Sequence, residues 1–229
     1  MYSGIMSGTK IEWQKKLRDL GFLWVHDGNP KRPHVRLTSG LHSNGFVDIA
    51  SFFFVYPDLG RKLCDDFVNG IFRGIEGLPK IDCVISPAFG AITIGNNIAA
   101  SIDTGFCFAV PEMQGNKKIF SLEKRFNVEG SVLLPVEDVI TTAGSIGATI
   151  TAAEAKGAII APIILAVCNR SGLATISGRR IVSMLDIPMP SWEEAECPLC
   201  KVGSKAIPAK VAGNWKLLTE EPSGVDVRA

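Results

Sequence analysis

The sequence predicts an α/β fold in which a parallel sheet is flanked by helices. From residue 81 onward, short apolar segments at 81–86, 106–110, 132–136 and 158–167 alternate with helical patterns. These segments are apolar at almost every position, which is typical of strands covered by helices on both faces. The length of 229 residues suits one such domain with a small additional lobe.

The chain that precedes this region predicts a helix and a small hood. Trp13 and Leu17 lie four positions apart, which favours a short amphipathic helix. Residues 22–56 are mixed in character and predict short strands at 35–37 and 46–49 around a glycine-containing turn. We expect this part to form an N-terminal hood.

The core and the C-terminal part follow different patterns. Pro57 begins a helix in which apolar residues recur at every fourth position up to Ile71. After residue 185, prolines interrupt the strand and helix rhythm, which predicts a C-terminal extension and a loose tail from about Glu220. We therefore divide the chain into an N-terminal helix and hood at 1–56, a core at 57–185, and an extension and tail at 186–229.

The composition excludes several classes of partner. The formal net charge of +1 gives no basic field that would attract nucleic acid or an anionic membrane. The sequence contains no run of about 18 apolar residues and does not begin like a secretory signal. Four of the six cysteines lie within apolar runs, which favours reduced thiols. We therefore expect a cytoplasmic protein that binds neither nucleic acid nor membrane.

The most informative segment joins two adjacent carboxylates to a turn of small and hydroxyl residues. An apolar strand from Val132 ends at Glu137 and Asp138, and the turn that follows leads into a helix. Ligands of open α/β sheets lie beyond the carboxyl ends of the strands, and the N–H groups at a helix start bind phosphate. Carboxylates accept hydrogen bonds from sugar hydroxyls. A phosphorylated ribose would satisfy both halves of the segment.

Other nucleotide-binding and metal-binding patterns do not fit. The sequence lacks a P-loop, a G-x-G-x-x-G after the first core strand and an H-E-x-x-H. Cys197 and Cys200 have the spacing of half a zinc site, but no second pair with ligand spacing follows. The histidines at 26, 34 and 42 are too dispersed to be predicted as ligands. We therefore predict no metal site made by the protein.

The joined segment resembles the phosphoribosyl pyrophosphate motif of the type I phosphoribosyltransferases. This resemblance implies a type I phosphoribosyltransferase-like parallel sheet, with an N-terminal hood and a C-terminal extension. It also implies substrate-bound Mg²⁺ and a homodimer. Glu137 and Asp138 would bind the ribose 2′ and 3′ hydroxyls, and Asp138 would assist either proton handling or sugar polarisation. The whole implied binding segment is Glu137, Asp138, Val139, Ile140, Thr141, Thr142, Ala143, Gly144 and Ser145, with the 5′ phosphate on residues 141–145.

Flanking segments resemble the orotate branch of this family. They are 37–43, 86–92, 169–172 and the Cys197-x-x-Cys200 element followed by Gly203, and together the matches cover about residues 35–205. The resemblance implies that Arg170 pairs with the orotate carboxylate, that Phe46 packs near the base and that Thr141 touches the base edge. The implied reaction joins orotate to phosphoribosyl pyrophosphate and yields orotidine 5′-monophosphate and pyrophosphate.

The segment between the second and third core strands predicts a hairpin. Gly115-Asn116 is typical of a hairpin tip. The hairpin is either an ordinary solvated turn or, as in the family, a lid that brings cations to the pyrophosphate. Lys117 and Lys118 are the candidate catalytic cations of such a lid.

The sequence also departs from the family pattern. Many members of the orotate branch have lysines where Thr38 and Gly90 stand, and an arginine near Met113. Two alternatives therefore stay open: a phosphoribosyltransferase for another base, and a non-catalytic regulator that binds phosphoribosyl pyrophosphate. Two local features are also predicted: a bulge at Pro135, which lacks an N–H for the strand ladder, and a negative φ at Ala143.

Overall fold

A computed structural model describes the backbone of residues 2–115, 117–211 and 213–220, and their side chains except those of 2–7, 117 and 118. The tail predicted beyond Glu220 lies outside these residues. The described part contains no helix that is long and apolar enough to cross a membrane. The chain divides into two compact units, one containing residues up to 15 and 49–188, the other containing 16–48 and residues from 189 on.

The secondary structure alternates between strands and helices through the middle of the chain. The helices are α1 Tyr2–Asp19, α2 Ile49–Val55, α3 Pro57–Gly70, α4 Ile92–Ser101, α5 Gly144–Glu154, α6 Pro198–Lys201 and α7 Asn214–Thr219, with short 3₁₀ turns at Phe72–Gly74 and Glu194–Glu196. The strands are β1 Leu23–Val25, β2 His34–Arg36, β3 His42–Ser43, β4 Gly45–Val47, β5 Cys83–Pro87, β6 Gly105–Gln114, β7 Lys117–Leu122, β8 Val132–Ile140, β9 Ile159–Ile160, β10 Ile163–Asn169, β11 Thr175–Ile176, β12 Arg179–Asp186, β13 Ser191–Trp192 and β14 Ala206–Pro208.

The first unit is built on a sheet with the strand order β11-β12-β10-β8-β5-β6-β7, with β9 also paired to β8. The five inner strands from β12 to β6 run parallel to one another, and the two outermost pairs are antiparallel. This architecture confirms the predicted α/β fold with a parallel sheet and helices. All seven residues of β10 are buried, as expected for a strand with both faces covered.

The bounds of the predicted strands shift in the structure, and two of these strands differ in kind. The strand predicted at 46–49 stops at Val47, and Ile49 begins α2, because Ile49, Phe52 and Phe53 share one buried helical face. The strand predicted at 158–167 is divided into β9 and β10, with Pro162 in the gap, where its missing N–H would interrupt a ladder.

The bulge predicted at Pro135 is wrong. The pairing of β8 with β5 continues in step through Leu133, Leu134 and Pro135. On the other side, the partner of β8 changes from β9, opposite Leu133, to β10, opposite Val136. The irregularity therefore lies in the neighbouring segment between β9 and β10, and β8 itself stays regular.

The second unit combines the N-terminal hood segment with the C-terminal extension. Its larger sheet has the order β13-β3-β2-β14, and a separate pair joins β1 to β4. Strand β14 pairs in parallel with β2, with Ala206 opposite His34. The sequence divided these two segments into different parts of the chain, whereas in the structure they share one sheet.

Helix α3 packs closely on α2 because residue 60 is a glycine. A Cβ added at Gly60 would lie 2.6 Å from the Cδ1 atom of Phe53, whose side chain is buried. We expect Gly60→Ala to lower the free energy of unfolding by about 1–3 kcal/mol, because the ring has no free space to move into. Urea denaturation measures this change.

Gly70, at the end of the same helix, provides the matched control. A Cβ there would lie 3.8 Å from the Oγ1 atom of Thr9, an ordinary contact. Gly70→Ala should be neutral or stabilise by up to about 1 kcal/mol, since alanine restricts the unfolded chain more than glycine does. Equal effects of the two substitutions would contradict the packing argument.

Candidate functional site

The predicted binding segment forms one small cavity. The nine residues from Glu137 to Ser145 line a space of about 110 Å³ at the carboxyl end of β8. The strand holds Glu137 to Ile140, the turn holds residues 141–143, and α5 begins at Gly144. Ile140 and Ile146 are buried on either side of the turn and anchor it to the core. The hydroxyl-bearing residues Thr141, Thr142 and Ser145 are exposed.

The carboxyl group of Glu137 is held away from water. Its residue is only 6% exposed. Burial raises the pKa of Glu137 well above its usual range, and the neighbouring charge of Asp138 raises it further. The backbone N–H of Asp138 donates to Glu137 Oε1 at 3.2 Å. A buried carboxyl group that holds its proton can both donate and accept hydrogen bonds.

The Asp138 carboxylate lies against the loop that follows β5. A Cβ added at Gly90 would lie 2.6 Å from Asp138 Oδ2, so only glycine leaves room for this approach. The other carboxylate oxygen, Oδ1, accepts a 2.7 Å hydrogen bond from the N–H of Val139. Gly90 thus lies against the candidate site, whereas the sequence presented it only as part of the resembling segment 86–92 and as a missing lysine. A small residue after the neighbouring strand was the one available signal.

The turn that follows β8 is strained at Ala143. Its φ of 64° and ψ of 5° place it in the left-handed region, so the negative φ predicted from the sequence is wrong. The left-handed conformation costs an alanine about 1–2 kcal/mol. Ala143 caps α5, and its carbonyl accepts the N–H of Gly147 at 3.0 Å. The left-handed conformation of Ala143 therefore lies at the point where the chain turns from β8 into α5.

Arg170 lies beside this turn because β10 is the parallel neighbour of β8. Asn169 pairs with Ile140, and the N–H of Arg170 donates to the carbonyl of Ile140 at 3.0 Å. Arg170 is 5% exposed. The amide of Asn169 holds the following loop, since its Nδ2 donates to the Leu173 carbonyl at 2.8 Å. The structure thus brings the chain at Arg170 next to the segment that begins at Thr141.

The other candidates are not brought to this cavity by the described contacts. Phe46 belongs to the second unit and packs edge to face on Trp215, with ring centroids 5.7 Å apart. The predicted hairpin is present as β6 and β7, and Gln114 pairs with Lys117 across the tip. The side chains of Lys117 and Lys118 lie outside the described residues.

Solved structures of phosphoribosyltransferases share this fold. The crystal structure of an orotate phosphoribosyltransferase from Aeropyrum pernix superposes with a TM-score of 0.58 at 21% identity, covering 76% of this chain and 92% of that one. An adenine phosphoribosyltransferase from Rhodothermus marinus superposes with a TM-score of 0.53 at 19% identity, covering 79% and 99%. The chain therefore has the type I phosphoribosyltransferase fold.

Curated relatives identify the branch. An orotate phosphoribosyltransferase of Heliobacterium modesticaldum is 34% identical over 175 residues, which cover 76% of this chain and 87% of the relative. That of Caldicellulosiruptor saccharolyticus is 34% identical over 186 residues, which cover 80% and 90%. No protein-family model matches the chain. Relatives of this identity and coverage show that the chain belongs to the orotate phosphoribosyltransferase family.

The buried Glu137 makes the stability of the fold depend on pH. Its pKa in the folded state is raised from an ordinary value of 4.5, so folding favours the protonated acid. The stabilising effect is complete below pH 4.5 and is lost as the pH rises towards the folded pKa. Glu137→Gln removes this loss, because its amide stays neutral and can still accept the N–H of Asp138.

We therefore expect Glu137→Gln to be more stable than the unmodified chain at pH 8, with a smaller difference at pH 5. Urea denaturation at both pH values measures it. Glu129→Gln alters an exposed glutamate and should leave the free energy of unfolding nearly unchanged at either pH. A difference that grows towards acid would contradict the assigned direction.

Proposed function

We propose that the protein transfers the phosphoribosyl group of phosphoribosyl pyrophosphate to orotate, yielding orotidine 5′-monophosphate and pyrophosphate in pyrimidine biosynthesis. The observation that supports this most is the single cavity lined by residues 137–145, which combines two carboxylates with a turn at a helix start. Membership of the orotate phosphoribosyltransferase family supports the choice of base.

In the proposed reaction, the bond from C1′ to the pyrophosphate oxygen breaks, a bond to N1 of orotate forms, and the N1 proton passes to Asp138 or to solvent. Positive charge develops on the ribose ring and negative charge on the leaving pyrophosphate. Glu137 and Asp138 accept hydrogen bonds from the ribose hydroxyls and hold the sugar in place. The N–H groups and hydroxyls of residues 141–145 bind the 5′ phosphate at the start of α5. Asp138 either accepts a proton or polarises the sugar.

The donor set at this edge of the sheet fits Mg²⁺. The Asp138 carboxylate offers an oxygen ligand of the kind that this ion prefers, and substrate oxygens would supply most of the others. When bound, Mg²⁺ neutralises charge on the leaving pyrophosphate. The role left to the chain is to position the sugar and the phosphate.

We infer that the remaining contacts come from Thr141 in the cavity and from residues outside it. Arg170 pairs with the planar orotate carboxylate, Thr141 touches the base edge, and Phe46 packs near the base. Lys117 and Lys118 supply lid cations from the hairpin formed by β6 and β7. If the lid is mobile, substrates should protect this hairpin from proteolysis, and unchanged cleavage would count against it.

We also propose a cytoplasmic homodimer. Phe54 at the end of α2 is 86% exposed, and a large apolar side chain in this setting suits a subunit interface. Sedimentation equilibrium would test the dimer, and a monomer at micromolar concentration would contradict it. Fractionation of the source cells would test the compartment.

One observation favours a second candidate, the non-catalytic regulator. Gly90 stands where many members of the branch carry a lysine for the pyrophosphate, and the Asp138 carboxylate occupies the space where a Cβ would lie. If the hairpin lysines do not replace that cation, the chain would bind phosphoribosyl pyrophosphate without turnover.

The deciding experiment follows orotate by its ultraviolet absorbance, with phosphoribosyl pyrophosphate and Mg²⁺ present and then each omitted. Loss of orotate that requires both supports the proposed reaction. No loss with orotate, but turnover of adenine or another base, would indicate a different phosphoribosyltransferase. No turnover with any base, together with calorimetric binding of phosphoribosyl pyrophosphate, would indicate the regulator.

The proposed role of Arg170 predicts an effect confined to the base. Loss of a bidentate charged pair costs about 1.5–3 kcal/mol, so Arg170→Ala should raise the KM for orotate about ten- to a hundredfold and change the KM for phosphoribosyl pyrophosphate much less. Steady-state kinetics with each substrate varied in turn measures the difference. Arg180→Ala removes an exposed arginine of β12 and serves as the control. Equal rises in both constants would remove Arg170 from the base site.

The contact at Gly90 predicts an effect on the binding of phosphoribosyl pyrophosphate and not on that of orotate. Gly90→Ala would displace the Asp138 carboxylate, so the KM for phosphoribosyl pyrophosphate should rise about tenfold, the loss of roughly one charged hydrogen bond. Gly74→Ala is the control, because a Cβ there meets nothing within 4 Å. An unchanged KM in Gly90→Ala would show that Asp138 does not bind the sugar from its observed position.

A further inference from the structure

Two histidines and two cysteines of the second unit converge on one point. The donor atoms of His34, His42, Cys197 and Cys200 all lie within 4.8 Å of one another. The histidines and Cys197 are buried, and Cys200 is partly buried. All four residues belong to the same compact unit, and none of them lines the cavity at β8.

The strands and turns of this unit explain why the cluster forms. His34 shares a face of β2 with Arg36, whose cross-strand partner is His42, so the two imidazoles are diagonal neighbours. Their facing atoms, His34 Nε2 and His42 Nδ1, are 3.2 Å apart. The pairing of β14 with β2 brings the C-terminal segment to the same place.

The cysteines lie on a tight turn that suits metal binding. Cys197 precedes the single turn of α6, and its carbonyl accepts the N–H of Lys201 at 3.2 Å. The carbonyl of Cys200 accepts the N–H of Gly203 at 2.9 Å, and the φ of Gly203 is 91°. This turn directs both thiols to one side.

The distances match those around a tetrahedral zinc ion. Zn–S bonds of about 2.3 Å and Zn–N bonds of about 2.0–2.1 Å place two nitrogens about 3.3 Å apart and sulfur about 3.6 Å from nitrogen. The Sγ atoms of Cys197 and Cys200 lie 3.5 and 3.6 Å from His34 Nε2. Cys200 Sγ lies 3.2 Å from His42 Nδ1.

The partner of the other ring nitrogen of His34 fixes its tautomer. The Ser204 hydroxyl donates its proton to the Arg32 carbonyl at 2.6 Å. It must therefore accept at its 2.8 Å contact with His34 Nδ1, which carries the ring proton. His34 Nε2 is left with a lone pair that faces the other three donor atoms.

A network of hydrogen bonds alone would not satisfy this arrangement. If the imidazole and both thiols donate to His34 Nε2, one lone pair must serve three hydrogen-bond donors. If each thiol donates to a different imidazole instead, the lone pairs of His34 Nε2 and His42 Nδ1 face each other at 3.2 Å, whereas a cation is bound by all four atoms. Two soft thiolates together with two imidazoles favour Zn²⁺ over Mg²⁺ or Ca²⁺. Four protein ligands leave no open position for a substrate or water.

We propose that His34 Nε2, His42 Nδ1, Cys197 Sγ and Cys200 Sγ bind one structural Zn²⁺ ion, which ties the C-terminal extension to the N-terminal hood segment within the second unit. The ion would bind as both thiols lose their protons to solvent. The sequence predicts no metal site, because the two halves of this ligand set lie far apart along the chain.

The test uses the full chain, freed of any purification tag, passed through gel filtration and analysed by plasma mass spectrometry. We expect about one zinc per chain. Cys200→Ser should lower the zinc content at least tenfold. Cys83→Ser, which alters a half-buried cysteine of the other unit, should keep it. Equal zinc in both variants would overturn the proposal.

A second measurement decides the matter if Cys200→Ser does not fold. The unmodified chain is treated with a strong chelator, and its unfolding temperature is followed by tryptophan fluorescence, since Trp24, Trp192 and Trp215 lie in this unit. Chelation should lower the midpoint, Zn²⁺ but not Mg²⁺ should restore it, and Co²⁺ should give the visible absorption of tetrahedral sulfur and nitrogen ligation. The proposal would be contradicted if the reduced chain took up neither Zn²⁺ nor Co²⁺, or if Cys197 and Cys200 formed a disulfide in the native protein.

Discussion

The parallel pairing of β5, β8 and β10 is the constraint on which the site depends. Parallel strands end at the same edge of a sheet, so the loops after these three strands meet there. Glu137 and Asp138 lie in the last part of β8. Arg170 comes directly after β10, and Gly90, which faces Asp138, comes shortly after β5. The register of the inner sheet therefore decides which residues are neighbours.

Two features at this edge of the sheet lower the free energy of unfolding. Glu137 is buried with a raised pKa beside a second carboxylate, and Ala143 is held in the left-handed region. Each feature opposes folding by itself, and the buried apolar residues of β8 and α5 offset both. A ligand with hydroxyls and a phosphate would supply the partners for which the edge is shaped, so local instability and proposed function have one origin.

The second unit is stabilised by a smaller amount of regular structure than the first. Its six described strands are each two or three residues long, and its C-terminal segment returns to a sheet begun more than 150 residues earlier. Small units of this kind bury too little apolar surface to be strongly stable by packing alone. A bound metal ion would supply the missing cohesion at one point without extending the core.

The sequence by itself determined the α/β class, the hairpin and the strand, turn and helix start of the nine-residue segment that lines the cavity, because each is encoded in neighbouring residues. It did not determine that Gly90 approaches Asp138, that Ala143 has a positive φ, or that Pro135 lies in a regular strand. The His34 and Cys197 contact was equally hidden, since it joins positions 163 residues apart. These features depend on strand register and chain reversal, which are set by packing between distant segments, so only the tertiary structure decided them.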